Sequence, residues 1–172
     1  MAGDAAGAPR ALRPLTRLSV VLAVLLLVLA GVAYWFSGQV REEQLAVVDR
    51  QAAMEAAGRH AIDLVSLNYK TAEADVRRIL ATSTGKAKAD YEGSAAKLRE
   101  TTVANKVVQN GALRATGLVS MEGGVAKVLV VADVVISWDG TKIPAQDRFY
   151  RWSMDVTKVG GVWLVSKAEQ VL

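Results

Sequence analysis

The sequence predicts an α+β protein with one N-terminal transmembrane helix, and three observations carry that reading. Leu18 to Gly38 (LSVVLAVLLLVLAGVAYWFSG) contains no charged residue. From Gln39 to about Leu67 there is no proline, and apolar residues recur near helical spacing. Beyond Val107 the chain turns to β-branched alternation punctuated by Gly-Gly pairs. Helices first and strands last give helices packed on a curved four-stranded antiparallel meander.

The charge-free run has about 20 residues, the length a helix needs to cross a ~30 Å hydrocarbon core. In so short a chain, a helix that is apolar all round has no core large enough to bury it. Arg10, Arg13 and Arg17 precede the run, while Tyr34, Trp35 and Phe36 close it. Basic residues stay on the cytoplasmic side and aromatic rings settle at the headgroup boundary. Residues 1–17 therefore read as a disordered cytoplasmic tail, 18–38 as the membrane span and 39–172 as an extracytoplasmic domain. Arg13, Arg17, Tyr34 and Trp35 are its anchor flanks. The expected location is the plasma (inner) membrane, with the N-terminus inside. A cleaved signal peptide is the alternative, since Gly31 and Ala33 have cleavage-like spacing. The run exceeds the ~7–15 apolar residues of a signal core and continues through three bulky rings, which favours a retained anchor.

Residues 39–67 read as a long stalk helix continuing from the span without a strong break. Val47, Met54, Ala61, Ile62 and Val65 give its apolar face, and Glu55, Arg59 and Asp63 its solvated one. Ala53, Ala57 and Ala61 form a ridge of small side chains that lets another element approach closely, the protein's own sheet in preference to a coiled-coil partner. Asn68-Tyr69-Lys70 breaks the pattern. Thr71 is placed to cap a second helix, with Glu73 and Asp75 suited to its dipole and Val76, Ile79 and Leu80 on one face. After Thr82-Ser83-Thr84-Gly85, a third helix is expected over Ala87–Val103, with Tyr91, Ala95 and Leu98 as its stripe; together these occupy 71–103.

The meander fills 107–172. Val107–Met121 is followed by a turn at Glu122-Gly123-Gly124, and Val125–Ser137 is the central strand. Arg148–Lys158 alternates, with Tyr150, Trp152, Met154 and Val156 on one face. Gly160-Gly161 is a tight hairpin turn before the last strand, Val162–Val171.

Composition excludes several kinds of chemistry. The chain has no cysteine, hence no disulfide, thiol nucleophile or thiolate metal site. Its net charge is +4, half of it carried by the segment ahead of residue 18, and the remaining charges are well mixed. No basic block tracks a phosphate backbone, so nucleic acid is not an expected partner. No cofactor loop, nucleophile elbow or metal-ligand spacing is present, and His60, the only histidine, reads as a surface or half-buried residue. Asp133, with Tyr69 and Tyr91, is the one candidate for acid–base work. Turned inward it would be desolvated and basic; facing solvent, or paired with a Lys or Arg on a neighbouring strand, it would be inert. The second reading is preferred. Tyr69, Trp138, Trp152 and Trp163 line a lipid groove or fill the core.

The predicted architecture resembles the cone of the cystatin-like fold and of the nuclear transport factor and ketosteroid isomerase superfamily, some of whose members use a buried carboxylate beside a Tyr. More closely, the chain from the anchor onward resembles the actinobacterial Mce-associated membrane proteins. That resemblance is carried by Asn68-Tyr69-Lys70-Thr71 with Asp75 and Arg78-Ile79-Leu80, by Thr84-Gly85 with Tyr91, by Val128-Leu129-Val130-Val131, and by Val156-Thr157-Lys158, Gly160-Gly161 and Trp163-Leu164-Val165-Ser166. Ala87 and Ala89 depart from it, where bulkier residues are expected. The resemblance implies a non-enzymatic accessory or scaffold protein that stabilises or assembles an Mce-type lipid-import complex. Its partners would be the bilayer, transporter subunits and a lipid, with no catalytic residue, cofactor or metal. The inner-membrane assembly factor of type IV secretion systems looks similar in topology and implies an assembly role as well. A lipid-binding module and, last, a membrane-tethered isomerase or hydratase are the other readings.

Overall fold

The computed structural model describes residues 13–171 and, within its first helix, the side chains of 22–32, 34 and 45 onward. The chain forms two compact units, Met1–Ala46 and Val47–Leu172. Three helices are followed by four strands: α1 Arg13–Val65, α2 Ala72–Ala81, α3 Gly85–Ala104, β1 Val107–Glu122, β2 Val125–Trp138, β3 Gln146–Val159 and β4 Val162–Gln170.

The first unit is described as helix from Arg13. Arg13–Arg17 are thus helical where a tail was expected, and Pro14 suits a first turn whose amides have no internal acceptor. The rest of that tail, residues 1–12, lies outside the described residues, as do the side chains of Arg13, Arg17 and Trp35. Leu22 to Val32 and Tyr34 are exposed, Tyr34 at 84%. Among the described residues no helix is long and apolar enough to cross a membrane. The remainder of the apolar run lies outside the described side chains.

The second unit is a meander of order β1-β2-β3-β4, every neighbouring pair antiparallel. Ala126, Val128, Val130, Ala132 and Val134 of β2 alternate inward, joined across the sheet by Trp152, Met154, Val156, Trp163 and Val165. Opposite them, Ala53, Ala57 and Ala61 of α1 are completely buried. The buried stripe of α1 is therefore this alanine ridge with Val65 (3% exposed) at its end, while Val47 is 60% exposed and Met54 and Ile62 are half-buried. Gly111 of β1 is the second close approach, because a Cβ there would overlap Val65. In α3 the expected stripe of Tyr91, Ala95 and Leu98 is half-buried, while Ala87 and Thr102 are fully buried. A small residue at 87 thus has a packing reason.

Both sheet edges are partly closed by the chain itself. Tyr69 donates its N–H to Val107 O (2.9 Å) and Gln109 to Leu67 O (2.7 Å), covering the start of β1. Thr84 donates to Val165 O (2.8 Å) and Val165 to Thr82 O (3.0 Å), covering the middle of β4. Register shifts at Leu113/Ala115 and Leu118/Ser120 interrupt the rest of β1. Bulges of this kind keep an open edge from templating further pairing.

Candidate functional site

The interior of the cone, between the helices and the sheet, is where a pocket would form. It is filled by side chains, and its buried polar residues serve one another. His60 is completely buried rather than at the surface. Its Nδ1 lies 2.8 Å from Thr82 Oγ1 and its Nε2 3.3 Å from the Tyr91 hydroxyl. Thr82 has the main-chain oxygens of Arg78 (3.1 Å) and Ile79 (3.2 Å) as acceptors for its own hydrogen. With that hydrogen so placed, Thr82 can accept from Nδ1–H while Nε2 accepts from Tyr91. Every hydrogen has an acceptor in this arrangement, and it is neutral. Burial pushes His60 down to about 4 and Tyr91 up to about 12, so neither group carries charge near neutral pH. The pair acts as a polar plug.

A second cluster fastens α2 to the end of α1. Asp75, 2% exposed, accepts from the Asn68 amide (2.8 Å), the Thr71 hydroxyl (3.0 Å) and Arg78 Nη1 (2.7 Å). Arg78 also reaches Asp63 at 3.3 Å. Thr71 sits at the N-cap but makes no side-chain cap; its hydroxyl goes to Asp75, whose carboxylate closes the turn instead. Tyr69 is half-buried and donates to Asp139 at 2.5 Å, which raises the phenol and holds the Asp139 carboxyl below its ordinary value. The residues that carry the Asn68–Arg78 motif thus build a structural clamp.

Asp133 lies on the outer face of the sheet, because its inward neighbours are Ala132 and Val134. It is bonded to Arg114 of β1. Lys127, which shares its face, pairs with Asp155 of β3 at 2.7 Å. Asp133 does not point into the cone, so the acid–base arrangement considered for it is not formed. Trp152 (9% exposed) and Trp163 (7%) belong to the core, and Trp138 is half-buried at the end of β2.

Hollows open at the periphery instead. A groove of about 300 Å³ on the outer sheet face is bordered by Asn110, Arg114, Asp133, Val135 and Phe149. A cleft of about 360 Å³ between α1 and β4 is bordered by Glu55, Arg59, Thr82, Val162 and Trp163. Beside it Asp49 accepts from Lys158 (2.6 Å) and Trp163 Nε1 (3.5 Å), and the Lys158 ammonium holds its carboxyl low. Among the described residues no group of three or more His, Cys, Asp or Glu is placed to hold a metal ion. Little in the sequence signalled the plug: Thr82 and Tyr91 are distant in the chain from His60.

Comparison with known proteins bears on the fold and the family. The periplasmic domain of DotI superposes with a TM-score of 0.59 at 14% identity, covering 70% of this chain and 94% of that one. An IcmL-like type IV secretion system protein from Legionella pneumophila gives 0.56 at 16%, covering 69% and 88%. A protein described as a scytalone dehydratase, from Novosphingobium aromaticivorans, gives 0.53 at 12%, covering 73% and 89%. These likenesses establish the fold, a nuclear-transport-factor-like cone. In sequence, the chain is 31% identical over 144 residues to uncharacterized protein Rv1363c of Mycobacterium tuberculosis, covering 83% of this chain and 53% of that protein. It spans about half the length of that relative. Residues 15–172 match the family described as "Uncharacterized protein Rv1363c/MT1408-like", and the chain belongs to that family.

Proposed function

We propose that this chain is a non-enzymatic scaffold of the cell envelope, anchored by the Leu18–Gly38 helix, whose cone domain stabilises or assembles a multisubunit membrane complex. The filled interior carries the reading: the one buried histidine is neutral and fully bonded, and hollows lie at the outside, where partners dock. The charge-free run with its arginine flank supports the anchor and the inner-membrane location. The sequence resemblance to Mce-associated proteins favours an Mce-type lipid-import complex as the partner. A type IV secretion-like assembly factor is the second reading, favoured by the fold shared with the IcmL-like protein.

Crosslinking mass spectrometry in native membranes, followed by pull-down in mild detergent, tests the proposal. Transporter subunits should be recovered with the chain, whereas secretion-channel subunits would select the second reading. Recovery of free monomer alone under several mild detergents would refute both. A lipid held inside the cone is tested by native mass spectrometry of the full chain, where a bound acyl species would reinstate the groove reading.

A further inference from the structure

Five exposed valines gather at one end of the cone domain. The hairpins turn on Gly123-Gly124 and Gly160-Gly161, all four with positive φ (55°, 78°, 57° and 86°). Only glycine adopts such a pair without strain, and the choice leaves both tips without side chains. Val125, Val159 and Val162 flank the tips at 41%, 47% and 58% exposure. Lys158 joins the hairpins by donating its N–H to Gly124 O (2.9 Å), and its ammonium reaches Asp49 of α1 (2.6 Å). The tips therefore lie beside the point where the chain enters the domain. Val47 and Val48, 60% and 63% exposed, stand at that same entry.

We propose that this valine-tipped entry end rests in the interfacial layer of the lipid bilayer. The inference depends on the anchor proposed above. The occupant follows from the tether: residues 39–46, between the apolar run and the domain, span at most about 30 Å even when fully extended. The entry end is thus held beside the membrane at all times, and lipid is the apolar phase always within reach. Clustered exposed valines gain by leaving water there. Glu122 and Arg50, exposed at the same end, set the depth at the headgroups rather than the acyl core. The Lys158 ammonium brings no free charge, because Asp49 neutralises it.

The chain has no cysteine, so single nitroxide labels can be placed cleanly. Val125→Cys, Val162→Cys, Thr141→Cys in the β2–β3 loop, and Val28→Cys in the apolar run are labelled in the full chain. Each is reconstituted in vesicles of equal parts phosphatidylcholine and phosphatidylglycerol. Collisions with oxygen should exceed those with a water-soluble nickel chelate at 28, 125 and 162, with the opposite order at 141. Adding Val159→Asp to the Val125→Cys chain should return that label to water while leaving position 28 unchanged. Labels at 125 and 162 that behave like 141, with 28 still in hydrocarbon, would overturn the inference and leave the anchor standing. A water-exposed label at 28 would remove the anchor and the inference together. Spin–spin broadening between chains at 125 and 162 would overturn it in favour of a second copy covering the valines.

Discussion

Histidine 60 makes the stability of the cone domain depend on pH in a way that can be worked out in advance. It is the only histidine in the chain, fully buried, and its pKa falls from 6.5 to about 4 through burial. The unfolded chain therefore takes up a proton on this residue at a pH where the folded chain does not. The contribution is complete above about pH 6.5, declines as pH falls, and is gone at about pH 4. A shift of this size corresponds to about 3 kcal/mol in total, of which about 2 kcal/mol is lost between pH 7 and 5. Against a typical 5–15 kcal/mol for a domain, that is a measurable fraction.

Urea unfolding of the full chain in mild detergent, followed by the fluorescence of Trp152 and Trp163, reads the effect. With a slope of about 2 kcal/mol per molar, the midpoint should fall by roughly 1 M between pH 7 and 5. His60→Gln keeps a donor and an acceptor but cannot titrate. It should start lower at pH 7 and lose much less over the same interval, since only carboxylates common to both chains then respond. Equal losses in the two chains would refute the reasoning, as would a histidine ring resonance titrating near pH 6.5 in the folded protein.

Asp75→Ala leaves the Asn68 amide and Arg78 without their acceptor and should cost about 3 kcal/mol in urea unfolding, with Asp75→Asn recovering part of the loss. Gly111→Ala should cost about 1–3 kcal/mol through its overlap with Val65, and combining it with Val65→Ala should cost less than the sum of the two in a double-mutant cycle. Ala57→Leu should lower the thermal midpoint by a comparable overpacking penalty, about 1–3 kcal/mol; an unchanged midpoint would reveal slack space inside the cone.

The sheet was legible in the sequence because its signal is local. Ala126, Val128, Val130, Ala132 and Val134 occupy alternate positions, and both Gly-Gly pairs announce their turns. The burial of α1 was less legible. Large apolar residues dominate any reading of periodicity, yet the ridge against the sheet is Ala53, Ala57 and Ala61; of the large residues expected beside it, Val65 is buried while Val47 projects outward. His60 was misplaced for the same reason, since a polar ring beside Arg59 looks solvated until Thr82 and Tyr91 are brought to it by the chain's later turns. The Asp75 clamp lies between these cases. The spacing Asn68, Thr71, Asp75 marks a helix start, but not that the carboxylate replaces the threonine as the closing group.

The alanine ridge also bears on where recognition can take place. A cone that holds a ligand must keep its helix away from the sheet, with side chains long enough to form walls and a gap between them. Here Ala53, Ala57 and Ala61 are completely buried against a sheet face of valines and Met154, and Gly111 admits Val65 at the far end. The space a ligand would need is taken up by the approach of the helix itself. The polar residues suited to chemistry are engaged elsewhere: His60 by Thr82 and Tyr91, Asp75 by the α1–α2 turn, and Asp133, on the outer sheet face, by Arg114. On the proposed scaffold role, recognition falls to the outer sheet face and the cleft beside Trp163. Partner-disrupting substitutions should therefore cluster at exposed positions such as Phe149, Arg59 and Glu55 and leave the unfolding midpoint unchanged. Substitutions at His60, Asp75 or Ala57 should weaken partner recovery only in proportion to the folded fraction they remove.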